Sequence, residues 1–126
     1  MDKKKYLLLN DVEAYKSAFR LSNYVWEIVV KWNYFSKNTV GEQMVRAIDS
    51  ISANIAEGFG RYGKKDKIKF YRISKGSVTE SFDWNEKDKV RKLISSEEYN
   101  FIFSVLQNLP KSLNTLIKIT NQKLTI

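Results

Sequence analysis

The chain of 126 residues has no cysteine and no histidine. Without cysteine there is no disulfide, thiolate zinc site, iron–sulfur cluster or cysteine nucleophile. Without histidine the commonest general base, the commonest metal ligand and the usual partner of a catalytic serine are missing. One proline and five glycines are too few turn-formers for a sandwich or barrel of many short strands. No apolar run approaches the ~20 residues that a membrane span requires. The opening residues Met1-Asp2-Lys3-Lys4-Lys5-Tyr6-Leu7-Leu8-Leu9 hold a short apolar stretch before Asn10-Asp11, with no small-residue cleavage site. They read as a short N-terminal arm of a cytoplasmic protein. Together these absences favour a binding or assembly protein, with no cofactor and no metal, over an enzyme.

What is present is a core and an excess of positive charge. Hydrophobic residues make up 43% of the chain, enough for one core, and the length suits one domain spanning 1–126. Apolar residues recur at helical spacing in four segments, about 12–35, 40–59, 64–93 and 96–123. The first carries Ala18, Leu21, Val25, Ile28, Val29 and Trp32 on one stripe, with Asn10 or Asp11 as cap, and ends near Ser36-Lys37-Asn38-Thr39. The second carries Met44, Ala47, Ile48, Ile51 and Ile55. It ends at Gly58-Phe59-Gly60-Arg61-Tyr62-Gly63, where glycines are expected to supply left-handed conformations.

In the third segment, a rotation of 100° per residue places Phe70, Ile73, Ser74, Ser77, Ser81 and Trp84 inward, with Lys65, Lys69, Arg72 and Gly76 outward. The small serines allow a neighbouring helix to approach closely. The fourth carries Phe101, Ile102, Val105, Leu106, Leu109, Leu113, Leu116 and Ile117, capped by Ser95 or Ser96, and Pro110 should kink or split it. Short connections between such helices imply an all-α fold, an up-down-up-down antiparallel four-helix bundle.

The charge is concentrated. Lysine and arginine number 22 against 14 aspartates and glutamates, a net of +8. From Arg61 to Lys75 lie Arg61, Lys64, Lys65, Lys67, Lys69, Arg72 and Lys75 against Asp66 alone, so most of the excess sits in fifteen residues. A glycine loop followed by a helix N-terminus beside a row of cations suits phosphate oxygens. Arg61, Lys64, Lys65, Lys69, Arg72 and Lys75 are therefore candidate nucleic-acid contacts, and a solvated face that confers solubility is the alternative. Tyr62 and Tyr71 either stack on bases or pack against the core. Phe19, Trp26 and Val30 form a second apolar row on the first helix, which is either buried or meets another subunit; Phe103 poses the same choice. Ser50, Asn54 and Glu57 interrupt an apolar helix, and polar groups near a core need partners. Arg46, Asn54, Glu57 and Glu80 are candidates for a structural polar network across helices.

The run Arg46-Ala47-Ile48-Asp49-Ser50-Ile51-Ser52-Ala53-Asn54-Ile55-Ala56-Glu57-Gly58-Phe59-Gly60-Arg61 resembles the signature of the small four-helix proteins encoded in intervening sequences of bacterial 23S ribosomal RNA genes. Lys69-Phe70-Tyr71-Arg72-Ile73-Ser74-Lys75-Gly76-Ser77-Val78-Thr79-Glu80 resembles the second block of that family, and Trp26 also fits. Lys37-Asn38-Thr39-Val40-Gly41-Glu42 departs from the usual proline-containing entry to the second helix. Ser74 replaces the preferred alanine, and Trp84-Asn85-Glu86-Lys87 is more polar than the usual continuation.

The resemblance implies a bundle that assembles into a ring, a homopentamer. It extends to the basic accessory variability protein of diversity-generating retroelements, which binds nucleic acid and a reverse transcriptase. Function follows from family less firmly than fold does. The expected function is a non-enzymatic, homo-oligomeric protein that holds RNA or DNA by its phosphates. The alternative is a scaffold for a protein partner such as a reverse transcriptase or an RNA-processing enzyme. A magnesium site built on Glu57 and Glu80 is the remaining enzymatic option, and a structural role for that pair is favoured over it.

Overall fold

Four amphipathic stripes give four long helices. The computed structural model describes residues 8–123, so most of the expected N-terminal arm lies outside the described residues. A short 3₁₀ turn, Leu9–Asp11, leads into α1, Glu13–Val29. Then come α2, Glu42–Phe59, α3, Lys64–Val90, and α4, Ser96–Lys123. Each helix packs against the next and α4 returns to α1, which closes a four-helix bundle. No strand occurs among the described residues.

The core is built from the expected stripes. Leu21 and Val25 of α1, Ile48, Ile51 and Ile55 of α2, and Ile102, Leu106, Leu109 and Leu113 of α4 are fully or almost fully buried. Each such side chain contributes about 1.5–3 kcal/mol relative to its exposure. On α3 the buried line is Ile68, Tyr71, Ser74, Val78, Ser81, Asn85 and Asp88. This corrects the expected inner face: Ser74 and Ser81 stand on it, but Phe70, Ser77 and Trp84 flank it and Ile73 is exposed. The polarity of α3 hid its phase, because more than half of its buried line is polar.

α2 and α3 make the most extensive helix contact. Small groups permit it. The Ser74 hydroxyl donates to the Ile51 carbonyl at 2.8 Å, and the Ser50 and Ser77 hydroxyls bond across the interface. A Cβ at Gly58 would stand 2.8 Å from Tyr71 Cε1 and 2.9 Å from the Lys67 carbonyl oxygen. This glycine serves close packing. No glycine among the described residues has a positive φ, so the expected left-handed glycine turn does not form.

The first connection also lies elsewhere than expected. α1 stops at Val29, and the break falls at 30–33 rather than at Ser36-Lys37-Asn38-Thr39. Asn33 adopts an extended conformation, and its side chain accepts a bond from the Ser36 amide at 2.9 Å, capping a new helical turn, Tyr34–Ser36. A π-helical segment, Lys37–Gly41, carries this turn into α2. Asn38 Nδ2 and Thr39 Oγ1 donate back to the Tyr34 and Phe35 carbonyls, both at 2.7 Å, so polar residues that often end a helix are satisfied inside one.

α3 ends at Val90, short of the expected residue 93, in a tight turn. The Leu93 amide reaches the Asp88 carbonyl at 2.9 Å and the Lys92 amide reaches Lys89 at 3.1 Å. This is the double closure usually built on glycine, and here Lys92 takes the left-handed position with φ 59°. Ser95 starts α4 with a reciprocal cap: its hydroxyl accepts from the Glu98 amide at 3.0 Å and the Glu98 carboxylate accepts from the Ser95 amide at 2.9 Å. α4 runs through Pro110 as one helix, so the split does not occur. Leu106, Leu109 and Leu113 pack on both sides of the proline and hold the helix together there. Phe103 lies within the subunit, with ring centroids 5.5 Å from Phe82 and 5.9 Å from Tyr99.

Candidate nucleic-acid interface

The junction between α2 and α3 sets the geometry of the basic segment. Gly63 precedes α3 in an extended conformation, and no side chain caps the helix. The first backbone bond of the helix runs from the Lys67 amide to the Gly63 carbonyl at 3.0 Å. The amides of the first turn thus lie at the positive end of the helix dipole. Lys64 and Lys65 add cations where a sequence chosen for helix stability would place acids.

Lys65, Lys69 and Arg72 are exposed on one face of α3, within about 60° of each other and over about 10 Å of helix. Other residues of the run are turned to internal tasks. Lys67 donates to the Phe59 carbonyl at 2.7 Å, closing the end of α2, and burial lowers its pKa. Arg61 pairs with Glu57 at 2.7 Å and lies 4.7 Å from the Phe70 ring centroid. Lys75 bonds Asn114 of α4 at 2.7 Å, and Lys64 is half-buried. The six candidates therefore divide into an exposed row of three and a flanking set, Arg61, Lys64 and Lys75.

The two tyrosines separate. Tyr62 is 81% exposed in the loop, whereas Tyr71 is 1% exposed. Burial pushes the Tyr71 hydroxyl up to about 12, opposed by its hydrogen bond with Thr120. Tyr71 belongs to the core beneath the cations and presents no stacking surface.

The four residues considered for a polar network stand apart. Asn54 donates within its own helix, to the Ser50 carbonyl at 2.8 Å and its hydroxyl at 3.2 Å. Glu57 is exposed with Arg61, and Glu80 accepts from Trp84 Nε1 at 3.1 Å within α3. Arg46 is exposed on α2 beside a groove that also holds Trp26 and Val30. The side chains that join α2 to α3 are instead the serines.

The sequence reading missed Asn85 and Asp88, both fully buried. Asn85 Nδ2 donates to the Tyr99 carbonyl at 3.3 Å, while its Oδ1 and both Asp88 carboxylate oxygens have no partner. Burial raises the Asp88 pKa to about 7, against a smaller opposing effect of Arg91. The signal was available in the spacing 74, 78, 81, 85, 88, which continues the buried line. No group of three metal-ligating side chains occurs among the described residues, and none of their helices is long and apolar enough to cross a membrane.

Fold and surface define a basic, all-helical bundle protein with a row of exposed cations at the start of one helix. The sequence model of the 23S rRNA-intervening sequence proteins matches residues 10–115, and the chain belongs to that family. A solved structure from Bacteroides thetaiotaomicron, a protein of unknown function from the S23 ribosomal protein family, has a TM-score of 0.74 with this chain. The match covers 83% of this chain and 98% of that one at 22% identity, which establishes a shared fold. No curated protein matches the chain.

Proposed function

We propose that this protein is a non-enzymatic, homo-oligomeric nucleic-acid-binding protein that holds phosphates at the start of α3. The observation that carries the reading is the exposed row Lys65, Lys69 and Arg72 beside an uncapped helix N-terminus. Arg61, Lys64 and Lys75 flank the row. Such a surface grips a polyanion with little base specificity. Assembly into a pentamer would repeat it and multiply a weak contact through avidity. Phe19, Trp26 and Val30, exposed by 51%, 53% and 39%, supply an apolar row suited to a subunit contact.

Binding to mixed RNA at rising salt tests the reading, with mass in solution measured by light scattering. Affinity should fall steeply with salt, and Lys65→Glu/Lys69→Glu/Arg72→Glu should lower it roughly tenfold or more at about 0.1 M salt. Absence of binding, or binding indifferent to these substitutions, would reject the proposal. A second reading rests on the exposed Trp26: the apolar row holds a protein partner such as a reverse transcriptase or an RNA-processing enzyme. Association with that partner would survive salt and nuclease and be lost on Trp26→Ala.

A further inference from the structure

At the end of the bundle away from the α2–α3 junction, two aromatic rings stand in solvent. Tyr34 is 82% exposed and Phe35 is 73% exposed. Burying such rings drives cores, and leaving two adjacent ones in water calls for an explanation. Their backbone is fixed: the Asn33 cap and the bonds from Asn38 and Thr39 hold both carbonyls of the turn that carries them. The backbone that carries the rings is therefore ordered in advance, which lowers part of the ordering cost of binding.

Phe35 borders a groove of about 450 Å³ with Ser36, Thr39, Val40, Arg91 and Leu93. This lining contains an arginine and no carboxylate. Three other grooves each hold acids: Glu27 and Glu98 in one, Glu42 and Asp49 in another, Asp11 and Glu13 in the third. Arg91 sits in the turn that closes α3, and Lys92 beside it takes the left-handed conformation that glycine adopts at no cost. A non-glycine residue with positive φ is uncommon, and here it puts a second cation next to the first.

We infer that the Phe35–Arg91 groove is a second nucleic-acid contact, in which a base of a single strand stacks on the Tyr34–Phe35 surface while Arg91 and Lys92 meet its phosphates. Stacking of this kind accepts any base, because every base offers a π-face. The groove is not an extension of the α3 cations. Arg91 lies about 30 Å along the bundle from Arg72. Exposed Glu80, Asp83 and Glu86 stand between them on the outer side of α3, so the two sets of cations do not form one continuous row. The inference goes beyond the proposed function and does not depend on it.

The test uses the full chain and a single-stranded oligonucleotide of about twelve nucleotides with a central 2-aminopurine, whose fluorescence falls on stacking. The wild-type protein should quench the probe in the single strand and should leave the already low signal of the same probe in a duplex unchanged. Tyr34→Ala/Phe35→Ala should remove the quenching and weaken binding of the single strand roughly five- to hundredfold. Binding of inorganic polyphosphate should be unchanged by it. Arg91→Glu should weaken the single strand while Lys65→Glu/Lys69→Glu/Arg72→Glu should leave quenching in place at low salt.

Three results overturn the inference: a bound strand with no quenching, quenching that survives the loss of both rings, or quenching that vanishes with the α3 cations. A change in solution mass on Tyr34→Ala/Phe35→Ala with quenching intact would also overturn it and assign the rings to a protein contact. Polyphosphate binding that ignores the α3 substitutions would instead reject the proposed function and leave the groove standing.

Discussion

The two halves of α3 treat charge in opposite ways. The first half turns Lys65, Lys69 and Arg72 to solvent above a core of Ile68 and Tyr71. Among the described residues Lys65 and Arg72 meet no carboxylate. The second half carries acids on its outer side, each matched from within: Glu80 with Trp84, Asp83 with Lys87 at 2.6 Å, and Glu86 with the Tyr99 hydroxyl. Its inner side buries Ser81, Asn85 and Asp88. Outward charge that the fold leaves unmatched is available to a partner. Outward charge that the fold matches serves the fold. One helix thus shows a surface built for something outside and a surface closed on itself.

The largest expected effect probes the buried side of the second half. Burial pushes the Asp88 carboxyl up to about 7 in the folded chain, against about 3.9 when unfolded, so the folded state holds the proton more tightly. The associated stability is complete below the unfolded value and is lost as pH rises through 7, on the order of 4 kcal/mol. Urea unfolding from pH 4 to 9 should show this decline, and Asp88→Asn should flatten it. A wild-type profile parallel to that of the variant would contradict the assignment.

The next test loosens the seat of the first half. Gly58→Ala places a methyl group against the Tyr71 ring and the Lys67 carbonyl, one of them rigid backbone. A loss of about 1–3 kcal/mol is expected in thermal unfolding, and an unchanged midpoint would show that α2 and α3 separate easily.

Charge exchange tests the comparison directly. Replacing Lys65, Lys69 and Arg72 by glutamate should cut RNA affinity roughly tenfold or more at about 0.1 M salt and reduce the salt slope by about two to three. Replacing Glu80, Asp83 and Glu86 by lysine should raise affinity. Equal and opposite effects at both halves would mean that net charge, not its placement, governs binding. The smallest effect is expected at the turn after the second half. Ser95→Ala removes the reciprocal cap of α4 and should cost about 1 kcal/mol, with RNA binding unchanged.

Much of the bundle is written in apolar spacing. Leu21 and Val25, Ile48 and Ile55, and Leu106 and Leu113 fall where a period of 3.6 puts them, because burial alone decides their positions. α3 was harder to phase, since Ser74, Ser81, Asn85 and Asp88 carry no apolar signal. The first connection was misplaced because Ser36, Asn38 and Thr39 resemble a loop until their bonds are seen, whereas the single cap at Asn33 decides the break. The cationic row was legible as a cluster. The helical rotation also put Lys65, Lys69 and Arg72 outward, where the structure has them, but the engagement of Lys67, Arg61 and Lys75 was not legible, because it depends on the neighbours the fold brings them.

Pro110 offers no amide hydrogen to the carbonyl of Leu106, so the ladder of α4 lacks one bond there, while the neighbouring turns and the packed Leu106, Leu109 and Leu113 carry the helix across. The two sides of the proline need not open together. Amide protons from 111 to 123 should exchange with solvent faster than those from 98 to 109, through fraying that leaves the rest of the bundle closed. A backbone lesion in the middle of the last helix thus marks a boundary between a part that holds until global unfolding and a part that breathes on its own.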